Sequence, residues 1–134
     1  MKYLLDTNTI IDFFKGKEGI KRKIIADLRQ GFSVSSINLT ELYRGAYKSK
    51  RARFNLKQIK DFIKIPEIKV LLFGNKEAIS SGELISRLER KGQKISAFDS
   101  LIAATAKANN LIILTEDKKY FDRLKDFGIK VEVV

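Results

Sequence analysis

The 134-residue sequence contains no cysteine and no histidine, and each absence excludes a class of chemistry. Without cysteine the chain cannot form disulfides, and without either residue it cannot build a zinc site of the Cys/His kind. Without an imidazole, the mechanisms of histidine-dependent nucleases and Ser-His-Asp hydrolases are also excluded. Any catalysis must therefore use carboxylates, hydroxyls, amines or a bound hard cation.

Proline and long apolar runs are scarce as well. Pro66 is the single proline, and no stretch is rich enough in proline, serine or glycine to act as a linker. The length and an apolar content of 44% predict one globular domain over residues 1–134. No apolar run approaches the length of a membrane span, and Asp6 comes too early for a signal peptide. We therefore expect a cytoplasmic protein with no membrane partner.

Acidic residues are outnumbered, since 27 Lys and Arg face 16 Asp and Glu, for a net charge of +11. A surplus of this size indicates a polyanionic partner, most commonly nucleic acid. A basic surface also serves solubility, so charge alone leaves both explanations open. One group of cations follows the segment around Glu41 and is the candidate RNA-binding set. Its members are Arg44, Lys48, Lys50, Arg51 and Arg53.

Short apolar runs alternate with longer segments of helical periodicity. The runs predict five strands, at residues 3–5, 32–35, 68–72, 111–114 and 129–134, and alternation in the last predicts an edge position. Helical spacing predicts helices within residues 20–28, 39–46, 54–65, 77–91 and 96–108, the fourth ending at Gly92. This order predicts an α/β fold with a mainly parallel sheet covered on both faces.

Four acidic residues lie at strand ends or helix starts of this pattern. Asp6 ends the first strand, Glu41 comes shortly after the second and Asp117 shortly after the fourth, while Asp99 opens the helix before the fourth strand. In parallel sheets the functional crevice lies beyond the carboxyl ends of the strands. We therefore expect the four carboxylates to lie in one pocket at that end of the sheet.

Each acid taken alone has a structural explanation. Asp6 can cap a helix, Asp117 can serve a turn, and Asn38 with Glu41 or Ser96 with Asp99 can form a capping box. Taken together, four carboxylates that close repel one another unless a cation such as Mg²⁺ or Mn²⁺ joins them. Such cations activate water and stabilise the leaving oxygen of a phosphodiester. The set predicts metal-dependent hydrolysis of nucleic acid.

Four ordered segments carry a resemblance to a known family. They read LLDTN at residues 4–8, NLTELYRG at 38–45, ISAFDSLIAATA at 95–106 and LTEDKKYF at 114–121. With these segments the chain resembles the PIN domain family, and within it the VapC-type toxin ribonucleases. The resemblance implies a PIN-like three-layer α/β/α sandwich with about five strands. It also implies that Asp6, Glu41, Asp99 and Asp117 are catalytic metal ligands or their close supports, with Thr115 and Asn8 as supporting polar residues.

The resemblance further implies the cofactor and the partners. The cofactor would be Mg²⁺, with Mn²⁺ as a substitute, and the substrate would be RNA, typically transfer or ribosomal RNA. A homodimer and a small VapB-like antitoxin that blocks the site are implied as well. An arginine of the antitoxin would bridge two carboxylates, and its amphipathic segment would lie in an apolar groove between the helices containing Leu42 and Phe54, Phe62.

Other families place acids after strands but fit less well. A phosphatase of the haloacid dehalogenase type needs an Asp where Asn8 stands, and a receiver domain needs an Asp after the third strand, where none occurs. A ribonuclease-H-like fold begins with antiparallel strands, which the early helical segments contradict. The alternative without catalysis is a nucleic-acid- or partner-binding module with a degenerate acidic site, and it requires that the four acids fail to converge.

Overall fold

The computed structural model describes residues 2–134, apart from the side chain of Phe121. The chain forms five strands in that range: β1 Tyr3–Leu5, β2 Phe32–Ser35, β3 Ile68–Leu71, β4 Ile112–Thr115 and β5 Lys130–Val133. They form one sheet in the order β3-β2-β1-β4-β5, and all neighbours are parallel. The parallel sheet and the edge position of β5 are confirmed, although several predicted strand ends differ by a residue. No antiparallel start of the ribonuclease-H kind occurs among these strands.

The order of the strands locates the functional crevice. The chain moves from β1 to β2 and β3 on one side, and then returns to place β4 and β5 on the other side of β1. The direction of winding therefore switches between β1 and β4, and ligands of open parallel sheets bind beyond the carboxyl ends of strands at such a switch. Asp6 follows β1 directly, and Thr115 ends β4.

Seven α-helices join the strands in the described range. They are α1 Thr7–Phe14, α2 Glu18–Ala26, α3 Ser36–Lys48, α4 Ala52–Phe62, α5 Asn75–Arg90, α6 Ala97–Ala108 and α7 Lys118–Leu124. Sequence periodicity identified α2 to α6 and missed α1 and α7. Gly92 has a φ of +66°, the left-handed conformation expected of the glycine that ends α5. No helix within residues 2–134 is both long enough and apolar enough to cross a membrane.

Two predicted helices end earlier than expected. Leu28 lies in a short 3₁₀ turn, Leu28–Gln30, that follows α2 rather than in α2 itself. Helix α4 ends at Phe62 instead of residue 65. Pro66 explains the second difference, because the residue before a proline disfavours helical geometry.

Helices cover both faces of the sheet. On one face, Tyr3 and Leu5 of β1 pack with apolar residues of α1 to α4. On the other face, Leu4 packs with residues of α5, α6 and α7. Because successive strand residues point to opposite faces, a strand covered on both sides is apolar throughout, and β1 is buried at all three positions. The three-layer α/β/α architecture is confirmed.

The start of α3 corrects the predicted capping of Glu41. Helix α3 follows β2 without a loop, and Ser35 is its N-cap in a capping box with Asn38. The backbone N–H of Ser35 donates to Asn38 Oδ1 at 2.8 Å, and that of Asn38 donates to Ser35 Oγ at 3.1 Å. The predicted box between Asn38 and Glu41 is therefore wrong. Glu41 lies in the second turn of α3, and its carboxylate serves no cap.

Candidate active site

Asp6 lies at the junction of β1 and α1 and has two polar contacts there. Its Oδ1 accepts a hydrogen bond from the backbone N–H of Thr9 at 2.8 Å, which caps α1. Its Oδ2 accepts one from the hydroxyl of Thr115 at 2.6 Å, across the boundary between β1 and β4. Burial raises the pKa of Asp6, and these hydrogen bonds oppose the rise. Oδ1 of Asp6 thus caps α1, as the capping explanation predicts, whereas Oδ2 is bound to Thr115 at the end of β4.

Glu41 is positioned by a short relay of side chains. The hydroxyl of Thr7 donates to Glu41 Oε1 at 2.5 Å, and Asn38 Nδ2 donates to the oxygen of Thr7 at 2.9 Å. Asn38 is fully buried, so the relay connects the capping box of α3 to a half-buried carboxylate. Burial raises the pKa of Glu41, and the Thr7 hydrogen bond lowers it. Local sequence patterns do not reveal this relay, because Thr7 and Glu41 are separated by 34 positions.

Asp99 lies in the first turn of α6 and is half-buried. Its backbone N–H donates to Ser96 Oγ at 3.1 Å, which is one half of the predicted capping box. Its backbone carbonyl accepts a hydrogen bond from the hydroxyl of Tyr120 at 3.1 Å. The apolar residues that follow it, Ile102 and Ala103, are buried in the core under α6, as the buried stripe predicted.

Asp117 and Thr115 lie at the end of β4. Thr115 is fully buried, and its hydroxyl accepts from the backbone N–H of Asp117 at 3.0 Å while it donates to Asp6. Asp117 is exposed, and its Oδ1 accepts from the backbone N–H groups of Lys119 and Tyr120 at the start of α7. Thr115 therefore links two of the four predicted acids. Asn8 has an exposed side chain that lines the same cavity as Asp6 and Asp117.

The electrostatic influence of the acids on one another shows which of them lie together. Burial is the largest cause of the raised pKa of Asp6 and of Glu41. The charge of Asp99 raises both pKa values further, and the charge of Asp6 also raises the pKa of Glu41. The phenol of Tyr120 has a pKa raised well above its usual value by burial, and then by Asp99, Asp6, Glu41 and Asp117. Asp6 and Glu41 thus both lie near enough to Asp99 to be affected by its charge, and all four acids affect the phenol of Tyr120.

Three of the four predicted acids line two adjoining depressions rather than the single predicted pocket, and Asp99 lines neither of the two. A cavity of about 470 Å³ is lined by Asp6 and Asp117, together with Asn8 and Thr115. Glu41 instead lines a neighbouring groove of about 550 Å³ between α1, α3 and α4. Within residues 2–134, no three acidic side chains lie close enough together to bind one metal ion in their present positions. Asp6 and Glu41 each accept a hydrogen bond from a threonine hydroxyl.

The donor set nevertheless fits a hard cation by its chemistry. Mg²⁺ and Mn²⁺ prefer oxygen ligands, and the groups available here are carboxylates and hydroxyls. The charge of Asp99 raises the pKa of Asp6 and of Glu41, and a cation bound among these carboxylates would remove that repulsion. Asp6, Glu41, Asp99 and Asp117 are the residues that would hold it.

Two further acids went unassigned in the sequence. Asp12 of α1 and Glu116 after β4 line the cavity beside Asp6, and their carboxyls are close enough to share a proton. Glu116 has its pKa raised by the hydrogen bond with Asp12, whereas the pKa of Asp12 is lowered by it. Lys17 Nζ lies 3.3 Å from Asp12 and balances part of this charge.

The groove beside Glu41 matches the predicted antitoxin groove except at one residue. Leu42 and Phe54 line it, together with Ile11, Phe14, Lys15, Gly45, Ala46, Arg51, Asn55, Gln58 and Ile59. Phe62 does not line it. That ring is only 5% exposed and packs against Phe13 and Phe14, with centroids 5.7 and 5.3 Å away. It fills the core because it lies on the buried face of α4, one turn from Ile59.

The five predicted RNA-binding cations all lie on the surface of α3, α4 and the turn between them. Each of Arg44, Lys48, Lys50, Arg51 and Arg53 is exposed. Arg51 lies over the ring of Phe54 at 4.1 Å and lines the apolar groove, while Arg44 lies over the ring of Phe98 at 5.4 Å. Arg44 is therefore the member of the set that reaches α6, next to Asp99.

Comparison with known proteins shows the family of the chain. Residues 3–126 match the model of the PIN domain. The chain belongs to the PIN domain family. A relative from Salmonella typhimurium, "tRNA(fMet)-specific endonuclease VapC", is 34% identical over 133 residues, covering 98% of this chain and 97% of that protein. "Ribonuclease VapC1" from Methanocaldococcus jannaschii is 31% identical, covering 97% of this chain and 86% of the relative.

Solved structures give the same result for this PIN domain. VapBC2 from Rickettsia felis, bound to a DNA fragment from its promoter, matches with a TM-score of 0.90 and 29% identity, over 100% of this chain and 99% of that one. DNA-bound VapBC from Salmonella typhimurium matches with a TM-score of 0.88 and 31% identity, over 99% and 98%. The resemblance to VapC proteins, first visible in four short segments, extends over the whole fold.

Proposed function

We propose that this chain is a Mg²⁺-dependent endoribonuclease and the toxin of a toxin–antitoxin pair. The observation that carries the proposal is the placement of Asp6 at the carboxyl end of β1, beside the switch between β1 and β4, with the half-buried acids Glu41 and Asp99 near enough to act on it or on each other electrostatically. The net charge of +11 supports a polyanionic substrate. The full-length relatives, named as ribonucleases or a tRNA-specific endonuclease, support RNA as that substrate.

The residues of this chain would divide the work between holding a cation and holding RNA. Asp6, Glu41, Asp99 and Asp117 would hold the ion, and Thr115 and Thr7 would fix the orientation of Asp6 and Glu41 through the hydrogen bonds they donate. A bound Mg²⁺ supplies an activated water and stabilises the departing oxygen of the phosphodiester. The exposed cations of α3 and α4 would bind phosphates on either side of the cleaved bond.

Cleavage of RNA in the presence and absence of metal tests this proposal. We expect the wild type to cut RNA with Mg²⁺ or Mn²⁺ and to lose that activity in excess chelator. Asp99→Asn should abolish turnover, whereas Glu67→Gln, an exposed change just before β3 at the amino end of the sheet, should not. Full activity in chelator would exclude the metal mechanism. Binding of RNA without any cleavage would instead favour a binding module with a degenerate site.

We also propose that the partner is a small VapB-like antitoxin that occupies the groove between α1, α3 and α4. The groove is lined mainly by apolar residues, which suits one face of an amphipathic segment. Glu41 lines it too, so a bound segment would lie next to the acidic cluster and could reach it with an arginine. Solved VapBC complexes with the same fold support a partner of this kind.

Co-expression with a neighbouring small reading frame tests the groove. We expect a stable complex with suppressed ribonuclease activity, and recovery of activity when the partner is proteolysed. Phe54→Asp should weaken the complex because it places a charge in the groove, whereas Tyr47→Asp, on the exposed side of α3, should not. Toxicity that no adjacent gene product relieves would count against the toxin assignment.

A homodimer and a cytoplasmic location stay predictions. Light scattering measures whether the protein is a dimer in solution.

A further inference from the structure

An arginine and a phenylalanine form an unexplained contact at the edge of the acidic cluster. The guanidinium of Arg44 lies over the ring of Phe98 with its central carbon 5.4 Å from the ring centroid. Arg44 is one turn beyond Glu41 on α3, and Phe98 immediately precedes Asp99 on α6. The contact, here called the Arg44–Phe98 platform, therefore joins the two helices that carry two of the acids.

The ring of Phe98 does not serve the hydrophobic core. It is partly exposed, and it packs in neither of the two core clusters that the described residues form on the faces of the sheet. The exposed part of an aromatic ring that lies outside the core is a surface on which another flat group can stack. Nucleobases that lie free of a duplex are recognised by such stacking, on aromatic rings and on guanidinium planes.

The guanidinium of Arg44 is not neutralised by a partner. Within residues 2–134, no carboxylate lies within 4.0 Å of it, although several other cations of the chain have such partners. Arg44 does act on Glu41 at longer range, since it opposes the rise in the pKa of Glu41 that burial causes. A positive charge held in a fixed position without a counter-ion is suited to bind a phosphate, for which the guanidinium offers paired N–H donors.

We infer that the Arg44–Phe98 platform binds one nucleotide of single-stranded RNA beside the cleaved bond, the base stacking on the platform and the adjoining phosphate binding Arg44. The inference rests on the proposed ribonuclease function and names the group that positions the substrate against the acids. Every base can stack, so the platform would select little between bases. Its main effect would be to set the distance between the bound nucleotide and the cleaved bond.

Binding of uncleaved RNA tests the platform without turnover. The probe is the shortest labelled oligoribonucleotide that the wild type cleaves, and Asp6→Asn serves as the background for measuring its affinity by fluorescence anisotropy. In that background we expect Phe98→Leu to weaken binding roughly 5- to 150-fold, the effect of losing one stacked base. Phe98→Tyr should retain the affinity, and the matched control Tyr47→Leu, an exposed aromatic on α3, should leave it unchanged.

Removal of single bases then separates stacking from a structural effect. An abasic nucleotide at one position next to the cleaved bond should weaken binding by the background protein, and the same change should cost nothing further in Phe98→Leu. Arg44→Gln should lower the salt dependence by about 0.7 log units per log unit of salt, the value for one phosphate contact, and Arg44→Lys should restore it. Because Arg44 is exposed, these variants keep the test valid even if Phe98→Leu folds poorly.

The outcomes distinguish this inference from the proposal on which it rests. If the wild type cleaves RNA in Mg²⁺ but Phe98→Leu binds as tightly as its parent, the platform is overturned and the ribonuclease stands. An abasic penalty that persists undiminished in Phe98→Leu also overturns the platform. If the wild type neither binds nor cleaves RNA, both fail together.

Discussion

At the scale of single residues, Asp6 has a structural role and a chemical role that substitutions can separate. Asn keeps one carbonyl oxygen, which can accept the capping hydrogen bond from the backbone N–H of Thr9, and it is as good an N-cap as Asp. Its amide –NH2 replaces the oxygen that accepts from Thr115 and can instead donate to the hydroxyl oxygen of that residue. We therefore expect Asp6→Asn to abolish RNA cleavage while it keeps or raises the melting temperature, since it removes a charge that burial disfavours. Thermal unfolding beside a cleavage assay measures both.

Asp6→Ala provides the contrast for that experiment. It removes the cap as well as the charge, and the loss of an N-cap costs about 0.5–2 kcal/mol. We expect both variants to be inactive, with Asp6→Ala alone less stable than the wild type. Equal destabilisation by the two substitutions would mean that the carboxylate charge itself stabilises the fold, contrary to its raised pKa.

Thr115 is the second residue whose contacts lead to a prediction. Its buried hydroxyl donates to Asp6 and accepts from the backbone of Asp117, so it fixes both acids at the end of β4. Thr115→Val keeps the shape and removes the hydroxyl, and we expect it to weaken Mn²⁺ binding by roughly 10- to 100-fold, as loss of a supporting contact does elsewhere. Thr115→Ser keeps the hydroxyl and should retain the affinity. Titration calorimetry gives the comparison, and equal affinity of Thr115→Val and wild type would refute the supporting role.

Residue patterns in the sequence point to the four acids as candidates, and the family resemblance adds Thr115, but neither predicts the contacts around them. Asp6 and Asp99 are visible because acids follow or open apolar segments, where a charge is unusual. The relay through Asn38 and Thr7 joins residues 31 positions apart, and local spacing carries no information about such a pair. The proximity of Asp12 to Glu116 depends likewise on the docking of α1 beside the end of β4.

At the scale of elements, a buried carboxylate ties the start of α5 to the end of α6. Glu77 Oε1 accepts from the backbone N–H of Gly74 at 2.9 Å, and Oε2 accepts from Asn109 Nδ2 at 3.0 Å. The hydrogen bond from Gly74 is the main cause that lowers the pKa of Glu77 below the usual 4.5. This contact fixes how α6, and with it Asp99, sits against the neighbouring helix.

The lowered pKa makes that contact dependent on pH with a definite sign. The folded protein binds the proton of Glu77 less readily than the unfolded chain does, so the stabilisation is present above pH 4.5 and is lost as the pH falls through the lower folded pKa. We expect Glu77→Gln to be less stable than the wild type at pH 7, with a smaller difference at pH 3.5. Urea unfolding at the two pH values measures this, with Glu89→Gln on the exposed side of α5 as the control. A difference that grows in acid would reverse the assigned sign.

The elements that the sequence predicted are those with long periodic patterns. Helices α3, α5 and α6 show apolar residues at helical spacing over three or more turns, and they occur where expected. The missed helices, α1 and α7, have only eight and seven residues and follow their strands after one and two residues. Their first turns are defined by hydrogen bonds to Asp6 and Asp117, so that the same acids belong to both the fold and the site.

At the scale of the whole molecule, the charge of +11 has to be reconciled with an acidic crevice. The five exposed cations of α3 and α4 form a basic surface next to Glu41, so a bound RNA would cross positive surface before it reaches the acids. We expect the affinity for uncleaved RNA to fall log-linearly with salt, by roughly 0.7 log units per log unit for each phosphate contacted. Fluorescence anisotropy with the Asp6→Asn variant at several salt concentrations measures the slope. A flat response would argue against a surface that follows the phosphates.

The whole-molecule architecture was the most predictable feature, because parallel strands covered on both faces produce continuous apolar runs such as Tyr3 to Leu5. The order of the strands, with β1 in the centre and β4 on its far side, was not predicted from the sequence. That arrangement brings the ends of β1 and β4 together and so unites Asp6 with Thr115. The site is therefore a product of topology, and its residues are scattered over nearly the whole chain.

Direct titration of Mn²⁺ into the metal-free protein tests the central claim, that these carboxylates hold a divalent cation. We predict saturable binding by the wild type and by Glu67→Gln, which keeps all four acids. Asp99→Asn should bind roughly tenfold more weakly or worse, since it removes a proposed ligand. If Asp99→Asn binds Mn²⁺ as tightly as the wild type, or if the wild type shows no saturable binding at all, the carboxylate cluster is not a metal site.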